Sequence, residues 1–158
     1  MRPKSLAVAL FFTLVFATSS FAAHEITAWP ENKKGAVSLT FDDGCPSHGA
    51  VGIPTLNAWG LTGTFFLTTD KVGGWSPGWD TWKNAANNGH EIASYTMSHL
   101  RLTSLASTQV QQEMEGAKAA IDAQLNSRQC LSFAYPYGDH DRAVESIAQN
   151  IYIAARGT

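Results

Sequence analysis

Charge of either sign is scarce in this chain. Eleven lysines and arginines stand against 13 aspartates and glutamates, a formal net charge of −2. Basic residues gather no further than the Lys33–Lys34 pair, which argues against nucleic acid as a partner. Long apolar runs are also missing. The one candidate, Leu6 to Phe16, is too short to cross a bilayer. Internal repeats, low-complexity tracts and interdomain linkers are absent too, so the chain reads as about one domain behind a leader.

The leader has the three parts of an export signal. Arg2 and Lys4 give a positive start, Leu6 to Phe16 an apolar middle, and Ser20 and Ala22 small residues at the −3 and −1 positions. Cleavage is expected after Ala22. Residues 1–22 are then a signal peptide and residues 23–158 the domain, secreted or periplasmic, with no stable membrane anchor after cleavage.

The remainder alternates strand and helix patterns. Strands are expected at Ala36 to Phe41, Gly63 to Thr68, Glu91 to Ser94, Leu131 to Ala134 and Ile151 to Ala155. Helices are expected over Gly49 to Trp59, Trp79 to Asn88 (capped by Asp80 or Thr81), Thr108 to Asn126 (capped by Ser107 or Thr108) and Arg142 to Asn150 (capped by Asp141). The third helix carries an apolar stripe: Val110, Met114, Ala117, Ile121 and Leu125. Such alternation implies right-handed βαβ units in a parallel α/β sheet or barrel. Functional residues should gather at the C-terminal ends of its strands. The two cysteines, Cys45 and Cys130, fall at opposite ends of that sheet. A disulfide needs Cα atoms within about 7 Å, so both are expected unpaired, or Cys45 bridged to a residue beyond Thr158.

One strand end stands out. Leu39-Thr40-Phe41 runs into Asp42-Asp43-Gly44, and adjacent carboxylates at a buried strand end are costly without a cation or a shared proton. An Asp-Asp-Gly turn alone would mean little. Two further segments fit the same chemistry at later strand ends, Gly-His-Glu-Ile-Ala-Ser-Tyr-Thr-Met-Ser-His (89–99) and Ser-Phe-Ala-Tyr-Pro-Tyr-Gly (132–138).

Together the three segments resemble the polysaccharide deacetylase family (the NodB-homology, or carbohydrate esterase family 4, domain). The resemblance covers nearly all of the chain after the leader. It implies a partial (β/α) barrel of about five βα strands, incomplete at the C-terminus. It also implies metal-dependent hydrolysis of N- or O-acetyl groups on a polysaccharide or oligosaccharide such as chitin, peptidoglycan, poly-N-acetylglucosamine or acetylxylan. Asp42 matches the catalytic base. Asp43 and His99 match ligands of a divalent metal, most often zinc, with cobalt or nickel as alternatives. Thr96 matches the hydroxyl residue that shapes the ligand loop. Pro136 and Tyr137 match the groove wall, with the Tyr137 N–H part of the oxyanion hole. A metal with an open position activates water, a free carboxylate takes its proton, and a backbone N–H stabilises the oxyanion.

Three departures bear on activity. Tyr95 stands where the family has a histidine ligand, and a phenol of pKa about 10 is a poor zinc ligand near neutral pH. Ala134 stands where many members have an arginine that orients the catalytic aspartate, a lighter departure because the Phe-Ala-Tyr-Pro-Tyr-Gly form resembles a variant within the family. The chain also ends before the family's later strands, which carry a general-acid histidine. The resemblance therefore implies an impaired enzyme; the alternatives are a metal-free carbohydrate-binding pseudoenzyme and an inactive fragment.

Other residues read more plainly. Trp75 and Trp79, in the loop after the second strand, are candidates for sugar stacking. Trp59 and Trp82 are expected in the core. His90 and Glu91 are expected to be structural, His140 a solvated loop residue, and His48 a surface residue beside the first helix.

Overall fold

The computed structural model describes residues 33–125 and 129–157. The signal peptide expected at residues 1–22 lies outside them. No described helix is long and apolar enough to cross a membrane. The chain divides at Ala36, and Val37–Thr158 forms one compact unit.

Its core is a parallel sheet of five strands in sequence order, curled into a half-barrel with four helices. The order is β1 (Thr40–Phe41), α1 (Ile53–Ala58), β2 (Thr64–Leu67), α2 (Trp79–Asn87), β3 (Glu91–Ser94), α3 (Ser107–Asp122), β4 (Ser132–Ala134), α4 (Arg142–Ile151) and β5 (Ala154–Arg156). Every neighbouring pair is parallel: Phe41 faces Phe65, Phe65 faces Ile92, Ser94 faces Phe133, and Phe133 faces Ala155. The expected partial barrel is therefore present.

Strand alternation sorts the core into two faces. Phe65, Leu67, Ile92 and Phe133 join Trp82, Val110, Met114, Ile121 and Leu125 from the helices in the main cluster. Phe66, Ala93, Tyr95 and Ala134 form a separate small cluster. The α3 stripe and Trp82 are buried as their spacing predicts.

Several boundaries differ from expectation. The first strand shrinks to Thr40–Phe41, and Val37 ahead of it stands 85 % exposed. The expected Gly49–Trp59 helix is a π turn (His48–Gly52) followed by the short α1. Ile53 and Leu56 are buried, but Trp59, which follows the last residue of α1, is 77 % exposed rather than core. Helix α2 starts behind Gly78 with no side-chain cap. Helix α3 is preceded by Ala106, whose N–H donates to Gln109 Oε1 at 3.2 Å, so neither Ser107 nor Thr108 caps it. Asp141 does cap α4, its Oδ1 accepting from Val144 N at 2.9 Å.

The last strand moves to Ala154–Arg156 because Tyr152 is committed elsewhere. Its buried hydroxyl lies 2.9 Å from Ser94 Oγ and 2.7 Å from the Met114 carbonyl. A phenol has one proton. That proton must go to the carbonyl, so Ser94 donates to Tyr152 while accepting from the Thr96 N–H at 3.3 Å. The chain of bonds ties α3, β3 and the start of β5 together. Burial pushes the Tyr152 phenol well above its usual pKa.

Both cysteines are free, as expected. Burial pushes the Cys130 thiol up to about 12, so it behaves as a small apolar side chain. His90 is buried at the start of β3. Its Nδ1 accepts from Gly63 N at 3.1 Å, which leaves Nε2–H to donate to Asn57 Oδ1 at 3.1 Å. Glu91 accepts from Thr64 Oγ1 at 2.8 Å. Both are structural.

Tyr152→Phe leaves the Met114 carbonyl buried without its donor and should lower unfolding free energy by about 1–3 kcal/mol in a denaturant titration. Burial holds His90 below its usual 6.5. The unfolded chain therefore binds more protons as pH falls through 6.5, and stability should decline from there toward the folded-state pKa. His90→Gln should flatten that decline, measured as denaturant midpoints between pH 7 and pH 5.

Candidate active site

The site is built where three strands release the backbone at one level. Four non-glycine residues among the described ones have positive φ: Asp43 (70°), Thr96 (68°), His99 (63°) and Tyr137 (62°). All four belong to the three motif segments. A left-handed conformation costs such residues about 1–3 kcal/mol each. Their concentration marks where the backbone bends to aim side chains rather than to continue a ladder.

After β1, Asp42 and Asp43 enter a tight turn closed by Gly44 at φ 66°. A Cβ at position 44 would lie 2.9 Å from Ser76 Oγ and 3.0 Å from Leu67, so only glycine lets the turn sit against the Ser76 loop. After β3, the 95–99 loop is tied down on every side. Tyr95 N donates to Leu67 O at 2.8 Å, and Thr69 N and Asp70 N donate to the carbonyls of Thr96 and Met97 at 3.2 and 3.0 Å. Fully buried Thr96 turns its Oγ1 back to accept from His99 N at 2.9 Å, the shaping role the resemblance implies. Glu113 of α3 accepts from both Ser98 N at 2.9 Å and Ser98 Oγ at 2.6 Å.

These constraints bring His99 to Asp43. Nε2 of His99 lies 3.4 Å from Asp43 Oδ1, and it is buried without a hydrogen-bond partner. Burial lowers the His99 pKa, with Asp43 pulling it the other way. An orphaned imidazole nitrogen beside a carboxylate oxygen is how two ligands look before a cation joins them. A tight zinc site needs a third protein ligand. Among the described residues no three histidine, cysteine, aspartate or glutamate side chains converge. Tyr95 stands where the family resemblance expects a further ligand. Its ring packs edge-on to His99, with centroids 4.6 Å apart, and is 5 % exposed. Burial raises its pKa, and the carboxylates of Asp42 and Asp43 raise it further. Arg156 and the Tyr137 backbone N–H oppose them. The phenol thus stands among the site's groups as a neutral hydroxyl. The donor set is one ligand short and does not fit a tightly held metal.

Tyr137 follows buried Pro136 at the end of β4, and its ring is 55 % exposed. One edge meets His99 at 4.7 Å between centroids, and the Arg101 guanidinium lies 4.9 Å from the ring centre. Arg101 is held by Asp139 at 2.7 Å. Trp75 is also exposed, with Lys71 Nζ 5.4 Å from its ring, whereas Trp79 is partly buried against the main core. His48 is half-buried, packed at 5.4 Å on Phe41, with its Nδ1 unpartnered; it is an edge of the core rather than a surface residue. His140 pairs with Glu145 at 2.7 Å in an exposed loop.

Two contributors escaped sequence reasoning. Glu113 looks like any polar residue of an amphipathic helix. Arg156 of β5 donates from Nη2 to Asp42 Oδ1, a contact across 114 residues that only the curl of the sheet creates. Thr96→Val should strand the His99 N–H and lower stability by about 1–3 kcal/mol, read in denaturant unfolding, while Thr96→Ser retains most of it.

The polysaccharide deacetylase family model matches residues 30–155. Over 135 residues the chain is 30 % identical to a gellan lyase of Bacillus sp, covering 85 % of this chain and 5 % of that protein. Among solved structures, the Xyl-CE4 domain of a multidomain xylanase from the hindgut metagenome of Trinervitermes trinervoides is 28 % identical, with a TM-score of 0.65 over 77 % of this chain and 57 % of that one. The Streptococcus pyogenes deacetylase PplD, in complex with acetate, superposes with a TM-score of 0.72 at 24 % identity, over 75 % of this chain and 54 % of that one. The chain spans little more than half the length of these structures and a small part of the lyase. The match of the family model over most of the chain, the curled parallel sheet and the motifs at its strand ends agree: the chain belongs to the polysaccharide deacetylase family.

Proposed function

We propose that this site serves hydrolytic removal of N- or O-acetyl groups from a glycan, with its metal-holding power impaired by Tyr95. The observation that carries the reading is the pairing of Asp43 with an orphaned His99 nitrogen 3.4 Å away, next to a second carboxylate and beneath Tyr95. Asp42 is the base: its carboxylate receives the proton of the water that attacks the acetyl carbonyl. The Tyr137 backbone N–H donates to the oxygen on which charge develops. As the C–N or C–O bond to the acetyl carbon breaks, that proton passes from Asp42 to the departing sugar nitrogen or oxygen, which leaves acetate and a free amine or hydroxyl. The export signal would deliver the domain outside the cytoplasm, to glycans of the cell surface or surroundings.

A second reading has its own support. Trp75 and Tyr137 present exposed rings at the rim, as a metal-free sugar-binding protein would need. Glycan binding that survives chelator, and that Asp42→Asn leaves unchanged, would favour it.

Zinc titration by calorimetry tests the first reading. The native chain should bind zinc weakly. Tyr95→His should bind about one equivalent, tighter by ~100-fold or more, since even indirect supports of a metal ligand are worth about 10–100-fold. Equal affinity in the two chains would overturn the assignment of Tyr95 as the lesion.

A further inference from the structure

We propose that Arg156 is the positioning residue of this site, holding the Asp42 carboxylate from the opposite edge of the sheet. The inference rests on Asp42 as the base. Asp42 follows β1 and Arg156 ends β5, the first and last strands in the sheet order. Nη2 of Arg156 donates to Asp42 Oδ1. Nη1 donates to the Gly157 carbonyl at 2.8 Å, and the guanidinium carbon lies 4.6 Å from the centre of the Phe66 ring. Nε is buried without an acceptor. A guanidinium held at its face and at one end has little freedom left, so the carboxylate it grips is fixed in turn.

Stability does not account for this arrangement. Both side chains keep about a third of their surface exposed (32 % and 30 %), and ion pairs so exposed contribute little to folding. Leaving a guanidinium nitrogen buried without an acceptor counts further against it as a stabilising device. What the pair does achieve is direction. It engages Oδ1 and leaves Oδ2 to receive a proton, and aim within a fraction of an ångström governs the efficiency of a base. The register explains how the arginine reaches. Ala134 and Arg156 are partners on neighbouring strands, and partners in a ladder present their side chains on the same face. Ala134 is fully buried beside Phe66 in the small inner cluster. An arginine at 156 therefore projects over the small residue at 134 and occupies the space a longer side chain there would take.

Two measurements test this. The first needs no turnover: a double-mutant cycle on the whole chain with Arg156→Met and Asp42→Asn, read by denaturant unfolding. Methionine keeps cover over Phe66 and removes only the charged head. We expect non-additivity of about threefold or more in the unfolding constant; strict additivity overturns the contact. The second uses the zinc-loaded Tyr95→His chain with penta-N-acetylchitopentaose as the probe. Arg156→Met should lower kcat about 10- to 100-fold with KM within twofold. The Ala134→Arg, Arg156→Ala double variant should recover part of the loss by supplying the guanidinium from the neighbouring strand. An unchanged kcat, or a change confined to KM, overturns the positioning role. Absence of turnover in the parent Tyr95→His chain counts against the proposed reaction instead, and the cycle then decides on Arg156 alone.

Discussion

The parallel ladder constrains everything else in this domain. Its strands are two to four residues long, and each is paired in register with its neighbour. The backbone therefore leaves the ladder at nearly one level after β1, β3 and β4. A parallel sheet also requires a helical crossover after each strand, so the return chain is occupied on the helical side and the turns after the strands face open space. Asp43, Thr96, His99 and Tyr137 are in those turns, and each takes a left-handed conformation. Strain of this kind persists only where surrounding bonds determine the backbone. Here the bonds are visible: Leu67 to Tyr95, Met97 to Asp70, Thr96 to His99 and Glu113 to Ser98. The site is a consequence of the register, held in place by α3.

How much of this could be read from the residues alone depends on range. Elements set by local pattern were legible: the α3 stripe, the Asp141 cap, the order of strands and the presence of the motifs at strand ends. The role of Thr96 came from the family resemblance, and the bond behind it is local: its buried hydroxyl accepts from the His99 N–H three residues on. Trp59 was misplaced because α1 ends at Ala58 and the Trp59 backbone, at φ −99° and ψ 4°, has already left the helix that buries Ile53 and Leu56; periodicity assumes that the helix continues. Strand ends shifted for a similar reason. Tyr152 lies in a β-prone stretch, yet its hydroxyl is drawn to Ser94 and Met114, 58 and 38 residues away. Arg156 escaped notice because its partner is 114 residues distant, and no local signal distinguishes a rim arginine from a base-positioning one.

The inner face of the curl explains why Tyr95 is tolerated. Phe66, Ala93 and Ala134 form an apolar pocket there, and two of the three are small. A phenol ring has room in that pocket where the strand ends, and its edge-on packing against His99 is an ordinary aromatic contact. The fold therefore loses little when an imidazole is replaced at this position. What changes is the chemistry at the ring's tip. A neutral hydroxyl raised further from ionisation by its burial and by two carboxylates cannot supply the electron pair that a histidine would.

That separation between scaffold and ligand set has a consequence for how the site is organised. Backbone bonds, including Tyr95 N to Leu67 O, and the side chains of Thr96, Ser98 and Glu113 hold the 95–99 loop, and Asp43 is fixed by its own turn against the Ser76 loop. Asp43 Oδ1 and His99 Nε2 already stand 3.4 Å apart. Sites assembled this way are preorganised by their protein shell rather than by the ion. A change at position 95 then leaves the rest of the site standing, and on the proposed reading a histidine placed there would meet the same geometry. The loop thus turns His99 toward Asp43 through its own hydrogen bonds, with no part played by the Tyr95 phenol.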